Sequence, residues 1–215
     1  MLATAPRNHP AQVKRRGALD DVDDRGTPAD VFDPLNAEFQ FTLDVAAARH
    51  NAKCARYYSL GPATPFEARQ LRLFGDTFVG DPEAAGIDGL AQDWALGERI
   101  WCNPPFSNIE PWVCKASFCS ATVVMLLPAN RTEQPWWQTF IEPKRDGRSP
   151  IDAPGASPET RFLAGRRCFL NRGAPIGNRT SKNPPFGVVI VVWDRRENER
   201  LIETGVGGRR RKGRA

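Results

Sequence analysis

The feature that most restricts the fold is the apolar run over residues 121–128, Ala-Thr-Val-Val-Met-Leu-Leu-Pro. A continuous apolar run without alternating polar positions is typical of a strand that is buried on both faces, as strands of parallel sheets are. Polar residues 129–132 (Ala-Asn-Arg-Thr) follow at its carboxyl end. The pattern predicts a mostly parallel sheet covered by helices, which is an α/β fold.

A second short apolar run, residues 100–102, leads directly into Asn103-Pro104-Pro105-Phe106. Two consecutive prolines donate no ladder hydrogen bonds, so the strand ends where this quartet begins. The quartet then lies at the carboxyl end of a strand, where open α/β sheets bind ligands. The Asn103 side chain and the Pro104 carbonyl offer two fixed acceptors for an amino group. Pro105 stiffens the turn, and Phe106 offers a ring face for a planar base; the simpler alternative is a rigid turn without chemistry.

The same four letters recur as Asn183-Pro184-Pro185-Phe186, ahead of a strand predicted over residues 188–193. A quartet that precedes a strand lies at the opposite edge of a parallel sheet, whereas the edge is less certain for an antiparallel strand. We interpret this second quartet as a turn.

The remaining patterns alternate between helix and strand. The first helix is predicted to have Thr27 as its N-cap and Pro28 as its first helical residue, and residues 29–39 follow. Further helices are predicted over residues 110–118 and from residues 132–133 onward, and further strands over residues 41–47, 161–169 and 188–193. The last two strands are expected to be antiparallel neighbours at one edge, whereas residues 61–86 and 142–160 are too broken by Pro and Gly to assign.

Two stretches carry candidate ligand-binding residues. Asp44 ends the first strand and is placed either to meet a ligand's ammonium or ribose, or to cap the next turn. No Gly-x-Gly-x-x-Gly is present, so a cofactor would approach closely over the small residues Ala46 and Ala47. Asp93 beside Trp94 suits recognition of an adenine, and the alternative is a solvated turn with a core tryptophan.

Composition limits the class of protein. A chain of 215 residues fits one domain with extensions, no stretch reaches the roughly 18 apolar residues of a membrane span, and the N-terminus lacks a signal-peptide pattern. We therefore expect a cytoplasmic protein. Five cysteines without a Cys-x-x-Cys pair, and only two histidines, favour free thiols over a zinc site.

The positive net charge comes from the two ends of the chain. Residues 1–19 and 205–215 hold nine of the 30 basic residues and no acidic ones. We predict flexible basic arms at residues 1–25 and 205–215 around a domain at residues 26–204. Such arms either add phosphate contacts to a polyanion or only aid solubility.

Taken in order, these motifs resemble the phage-type DNA N6-adenine methyltransferases, the phage Dam family. The residues that carry the resemblance span roughly residues 26–194: Thr27-Pro28, residues 41–47, Asn51-Ala52-Lys53-Cys54, residues 88–90 with Asp93-Trp94, Trp101 with the quartet 103–106, and Trp136-Trp137. The resemblance implies a class I (Rossmann-like) methyltransferase fold, S-adenosylmethionine as cofactor and adenine in DNA as substrate. It also implies a phage or prophage origin, and hence a bacterial or infected-host cytoplasm.

By position, the resemblance assigns catalysis to the quartet 103–106 and cofactor binding to the flanking motifs. Asp44 with Ala46 matches the first cofactor motif, Asp93 with Trp94 the acidic position near the cofactor's adenine, and Thr27 with Pro28 the segment over its methionine end. This quartet has Asn and Phe where adenine enzymes commonly have Asp and Tyr; Asn keeps an acceptor and Phe keeps a stacking face.

Three other functions are compatible with the same sequence. Enzymes that methylate RNA adenine or protein glutamine also use Asn-Pro-Pro-[Tyr/Phe], and a catalytically silent DNA-binding phage protein needs no cofactor.

Overall fold

The computed structural model describes residues 26–59, 83–142, 158–167, 169–170 and 186–196. Within these ranges the elements are α1 (Ala29–Phe39), β1 (Leu43–Ala47), β2 (Tyr57–Ser59), β3 (Gly86–Ile87), β4 (Arg99–Cys102), α2 (Glu110–Phe118), β5 (Thr122–Pro128), α3 (Pro135–Phe140), β6 (Glu159–Phe162) and β7 (Val188–Trp193). Residues 60–82 and 143–157 lie outside the described residues. They include most of the two stretches, 61–86 and 142–160, that the sequence pattern leaves unassigned.

The strands form one seven-stranded sheet in the order β3-β2-β1-β4-β5-β7-β6. Strands β1 to β5 are paired in parallel, and β7 is antiparallel to both of its neighbours, β5 and β6. The predicted mostly parallel sheet with an antiparallel edge is therefore confirmed, and the arrangement is compatible with a Rossmann-like fold.

Helices cover both faces of the sheet, which explains why β5 and β7 are apolar at every position except Thr122. On β5, Val124 and Leu126 pack with helix α1, whereas Val123, Met125 and Leu127 belong to the core under α2 and α3. Every residue of β5 and β7 is buried. The core thus has two layers, one on each side of the central strands.

Helix α1 buries Val31, Phe32, Leu35 and Phe39 on one side, and it begins at Ala29, one residue after Pro28, the predicted first helical residue. Pro28 is extended, with ψ 153°, and is itself the N-cap; no side chain caps the helix. The Pro28 carbonyl accepts from the backbone N–H groups of Val31 and Phe32. The prediction of Thr27 as N-cap is wrong, because Pro28 is extended and takes the N-cap position itself.

The other predicted helices are present, and the Trp136 and Trp137 side chains are buried in the core. No helix in the described ranges is long and apolar enough to cross a bilayer.

Candidate active site

The connections after β1 and β4 leave a crevice at the carboxyl edge of the sheet. From β1 the chain continues to β2 and β3 on one side, and it returns to β4 and β5 on the other side. A reversal of this kind is a topological switch point, and open α/β sheets bind ligands outside the strand ends there.

A pocket of about 190 Å³ lies at this point. Its lining residues are Gly26, Thr27, Asp44, Ala46, Asn51, Lys53, Trp101 and Asn103. Four of the predicted site residues, Thr27, Asp44, Ala46 and Asn103, are thus brought together, although 76 positions separate the first from the last in the chain.

Asp44 has a structural role as well as a place in the pocket. Its carboxylate accepts from the backbone N–H of Ala46 at 3.3 Å and of Lys53 at 3.0 Å, so it caps the turn after β1. The side chain is almost wholly buried, and this burial raises the pKa of Asp44 to about 6, against the opposing effect of the two backbone donors. The cap interpretation is confirmed, and each oxygen keeps a lone pair for a further donor.

Thr27 brings a buried hydroxyl to the pocket. The segment is fixed by a two-bond bridge between Gly26 and Leu170, with N···O distances of 3.0 and 2.8 Å. Thr27 is 2% exposed, and among the described residues its Oγ1 finds no hydrogen-bond partner. A buried polar atom left unpaired costs about 1–3 kcal/mol, so a polar ligand atom at this place would be stabilised.

The loop after β4 places Asn103 beside Asp44. Trp101 is in register with Asp44, so Asn103 follows two residues later at the same edge of the sheet. The loop is closed by the Asn108 N–H, which donates to the Pro105 carbonyl at 3.1 Å. Pro104 is buried, whereas Asn103 is partly exposed.

Arg131, in the loop after β5, ties that loop to the quartet. Its guanidinium donates to the Phe106 carbonyl at 2.7 Å. Because β4 and β5 are parallel neighbours, both loops leave the same edge, and this hydrogen bond fixes one against the other.

Phe106 lies in an aromatic cluster with Phe169 and Phe186. Its ring centroid is 5.7 Å from that of Phe169, edge to face, and 6.1 Å from that of Phe186. Phe186 is the last residue of the second quartet. It reaches this edge because β7 is antiparallel and pairs Val188 with Pro128 at the end of β5. The second quartet would lie at the opposite edge only if β7 were parallel to β5, so that argument does not apply. Its first three residues, Asn183, Pro184 and Pro185, lie outside the described residues, and their interpretation as a turn stays a prediction.

The turn at residues 88–94 follows β3 and packs against β1. A side chain on Gly89 would lie 2.0 Å from the Val45 carbonyl oxygen, so the turn needs glycine there. The Trp94 indole N–H donates to the Gly89 carbonyl at 2.9 Å, and the Trp94 ring is 1% exposed in the core. Asp93 is exposed. Neither Asp93 nor Trp94 lines the pocket, so adenine recognition by this pair stays a prediction.

Sequence reasoning missed Lys53 and Phe186 as residues of this site. Lys53 stands inside the Asn-Ala-Lys-Cys motif, nine residues after Asp44, where the sequence pattern assigns it no role. Phe186 carried a usable signal, because an antiparallel strand after β5 must begin where β5 ends.

The sequence matches the family model described as DNA N-6-adenine-methyltransferase (Dam), over residues 17–64 and 84–212. The match includes all the pocket-lining residues and is interrupted within the stretch that the sequence pattern leaves unassigned. No curated protein matches the chain.

Proposed function

The chain belongs to the DNA N-6-adenine-methyltransferase (Dam) family, and from this premise we propose that it transfers a methyl group from S-adenosylmethionine to the N6 amino group of an adenine in DNA. The fold would then be that of a class I methyltransferase. The observation that supports this most is the shared pocket, in which Asn103 of the catalytic motif and Asp44 of the first cofactor motif meet at the topological switch point.

The residues of the pocket fit the methionine end of the cofactor. Asp44 offers a carboxylate to an ammonium, and Ala46 allows close approach. The Thr27 hydroxyl has no hydrogen-bond partner among the described residues and would be stabilised by a polar ligand atom. Pro28 extends this segment. The cofactor supplies, when bound, a methyl group made electrophilic by the sulfonium that carries it.

The adenine end of the cofactor is assigned to the turn at residues 88–94, on the other side of β1 from Asn103. Asp93 would accept a hydrogen bond from the adenine amino group, and its exposure leaves its carboxylate open to a ligand. Trp94 would act from the core, by holding the turn through its bond to Gly89.

Asn103 and Pro104 would act on the substrate amino group. The lone pair of that nitrogen is delocalised into the ring, which makes it a poor nucleophile. Hydrogen bonds from N6 to the Asn103 side-chain oxygen and the Pro104 carbonyl favour a tetrahedral nitrogen and stabilise its developing positive charge. They also align the nitrogen with the methyl group. On receiving the methyl group that the sulfonium gives up, N6 would release one proton to water.

Phe106 would stack on the adenine, which must leave the duplex to reach the active site of an enzyme that acts on a base. Its ring is held from two sides, by Phe169 and Phe186, and its carbonyl is held by Arg131. A ring fixed in this way loses less conformational freedom when the base stacks on it.

The test is to incubate the protein with methyl-labelled S-adenosylmethionine and, in separate reactions, DNA, RNA or protein, and to identify the labelled nucleoside or amino acid after digestion. We expect N6-methyl-2′-deoxyadenosine from DNA. Label that appears only in RNA adenine or protein glutamine would select those alternatives. DNA binding without cofactor binding would indicate a silent DNA-binding protein.

The matched variants are Asn103→Ala and Asn183→Ala, which change the same residue type in the two quartets. Asn103→Ala should abolish methyl transfer while the thermal midpoint and the cofactor affinity stay near those of the wild type. Asn183→Ala should cost stability at most. An equal loss of turnover in two folded variants would contradict the assignment of catalysis to the first quartet alone.

A further inference from the structure

The pocket at the switch point carries two side chains of opposite charge. Asp44 and Lys53 both line it, together with the Thr27 hydroxyl. A phosphate or another simple anion would be repelled by Asp44, and a simple amine would be repelled by Lys53. The pair suits a ligand end that carries one positive and one negative group, as an α-amino acid does.

The two charged residues are fixed relative to one another through the backbone. The Lys53 N–H donates to the Asp44 carboxylate at 3.0 Å, which closes the connection after β1. The Lys53 ammonium lies over a ring face, with Nζ 5.7 Å from the centroid of Phe32 on α1. Helix α1 therefore helps to hold this cation through a cation–π contact.

The Lys53 ammonium is partly removed from water. Burial lowers the pKa of Lys53, and attraction to Asp33 and Asp44 opposes that effect. Asp33 is exposed on α1 and does not line the pocket. A ligand carboxylate would compensate for this desolvation with a charge-assisted hydrogen bond, which is among the stronger hydrogen bonds in proteins.

Thr27 supplies the second donor. Its hydroxyl is buried at the pocket and, within the described residues, unpartnered. A hydroxyl donates one hydrogen bond, and a carboxylate oxygen accepts it well. Lys53 and Thr27 thus present two donors to one pocket, opposite the acceptor Asp44.

We infer that Lys53 and Thr27 bind the α-carboxylate of the cofactor's amino acid end, while Asp44 faces its α-ammonium. This inference rests on the proposed function, since it names the residues that read the zwitterionic end of S-adenosylmethionine. Lys53 is then a specificity-determining residue, because it distinguishes an amino acid from an amine at this place.

The test uses two ligands that differ by the carboxylate alone. S-adenosylhomocysteine carries it, and 5′-deoxy-5′-(3-aminopropylthio)adenosine keeps the adenosine, the thioether and the amine without it. Calorimetric titration of the wild type should show at least about tenfold tighter binding of S-adenosylhomocysteine, the effect of a hydrogen bond to a charged group. Equal affinities would overturn the inference although the protein binds a cofactor analogue, and binding of neither ligand would overturn the proposed function itself.

The variants assign the effect to a residue. Lys53→Met should weaken S-adenosylhomocysteine binding by about tenfold and leave the amine analogue within about twofold, so that the preference disappears. Thr27→Val should remove part of the preference for S-adenosylhomocysteine, and Lys53→Arg should retain that preference. Asp33→Asn is the matched control, because it removes the other charge that acts on Lys53 but lies outside the pocket. If Lys53→Met fails to fold, Lys53→Gln replaces it. An equal loss of affinity for both ligands in the Lys53 variant would overturn the assignment of the carboxylate preference to Lys53.

Discussion

The ionised side chain of Asp44 should destabilise the folded protein but stabilise a bound ligand. Its burial in β1 disfavours the ionised form, whereas two backbone donors and the positive charge of Lys53 act against that effect. An ammonium bound in the pocket would favour the ionised form instead. The pH dependence of stability and that of binding should therefore run in opposite directions.

We first predict the pH dependence of stability. The pKa of Asp44 is raised from 3.8 to about 6 in the folded state. Well below pH 3.8 the carboxyl is protonated in both the folded and the unfolded state, so the raised pKa does not affect stability. The destabilisation then grows as the pH rises from 3.8 to about 6. The Asp44 contribution should lower the free energy of unfolding by about 3 kcal/mol by neutral pH. Urea unfolding from about pH 4 to about pH 7, with Asp44→Asn as the reference, measures this difference. A difference that does not change with pH would contradict it.

The ligand affinity should change in the other direction. Below about pH 6 the free protein must lose a proton from Asp44 to receive an ammonium. Affinity for S-adenosylhomocysteine should therefore fall by up to roughly tenfold per pH unit below that value and level off above it. Calorimetry at several pH values checks this, and the slope should be absent in Asp44→Asn. A slope that persists in the variant would assign it to another group.

At the scale of elements, the turn at residues 88–94 depends on contacts from two neighbours. Gly89 lies against the backbone of β1, and the Lys115 ammonium of α2 donates to the carbonyls of Leu90 and Gln92. The same ammonium lies 5.3 Å from the Trp94 ring centroid. These contacts hold the turn at the edge where the cofactor's adenine is proposed to bind.

Replacement of Gly89 should displace this turn. In Gly89→Ala the new methyl group would lie 2.0 Å from the Val45 carbonyl oxygen, a backbone atom that cannot swing aside. We expect a loss of about 1–3 kcal/mol of stability, together with weaker S-adenosylhomocysteine binding. Gly187→Ala is the matched control, since its nearest neighbour is an Ala129 side-chain atom at 3.9 Å. Urea unfolding compares the two, and equal stabilities would contradict the close approach.

The sequence predicts elements well where hydrophobic periodicity decides them. The runs that form β5 and β7, and the apolar stripe of α1, indicate both the element type and the buried residues. Local chemistry is less reliable: Thr27 has the residue type and the following proline of a helix cap, yet Pro28 is extended and the helix begins at Ala29.

The parts of the site that could not be predicted depend on direction and register. Periodicity places Lys53 after β1, but it does not say that this residue lines the pocket together with Asp44. The place of Phe186 follows from the antiparallel pairing of β7 with β5, which joins residues about 60 positions apart and gives no local signal. Trp94 is the opposite case. A core tryptophan is one of the two alternatives that the sequence allows, and the Trp94 ring is buried in the core.

At the scale of the whole molecule, positive charge is concentrated toward the two ends of the sequence. Nine basic residues stand in residues 1–19 and 205–215, and the chain between them has more acidic than basic residues. Both segments lie outside the described residues, and the division into arms and a central domain stays a prediction. A DNA-modifying protein with a slightly acidic body needs cations from elsewhere to approach phosphates.

We predict that the two ends supply sequence-independent phosphate contacts while the body supplies specificity. Removal of each such phosphate contact should flatten the dependence of log affinity on log salt by roughly 0.9 on duplex DNA. The comparison is between the full chain, residues 20–204, and a full-length variant with the nine basic residues replaced by glutamine. Both altered proteins should bind DNA more weakly at low salt and with a smaller slope, yet methylate the same sequence. Their affinity for S-adenosylhomocysteine should be unchanged, because Asp44 and Lys53 lie in the body. If the slope is the same in all three, the ends do not touch DNA and act on solubility alone.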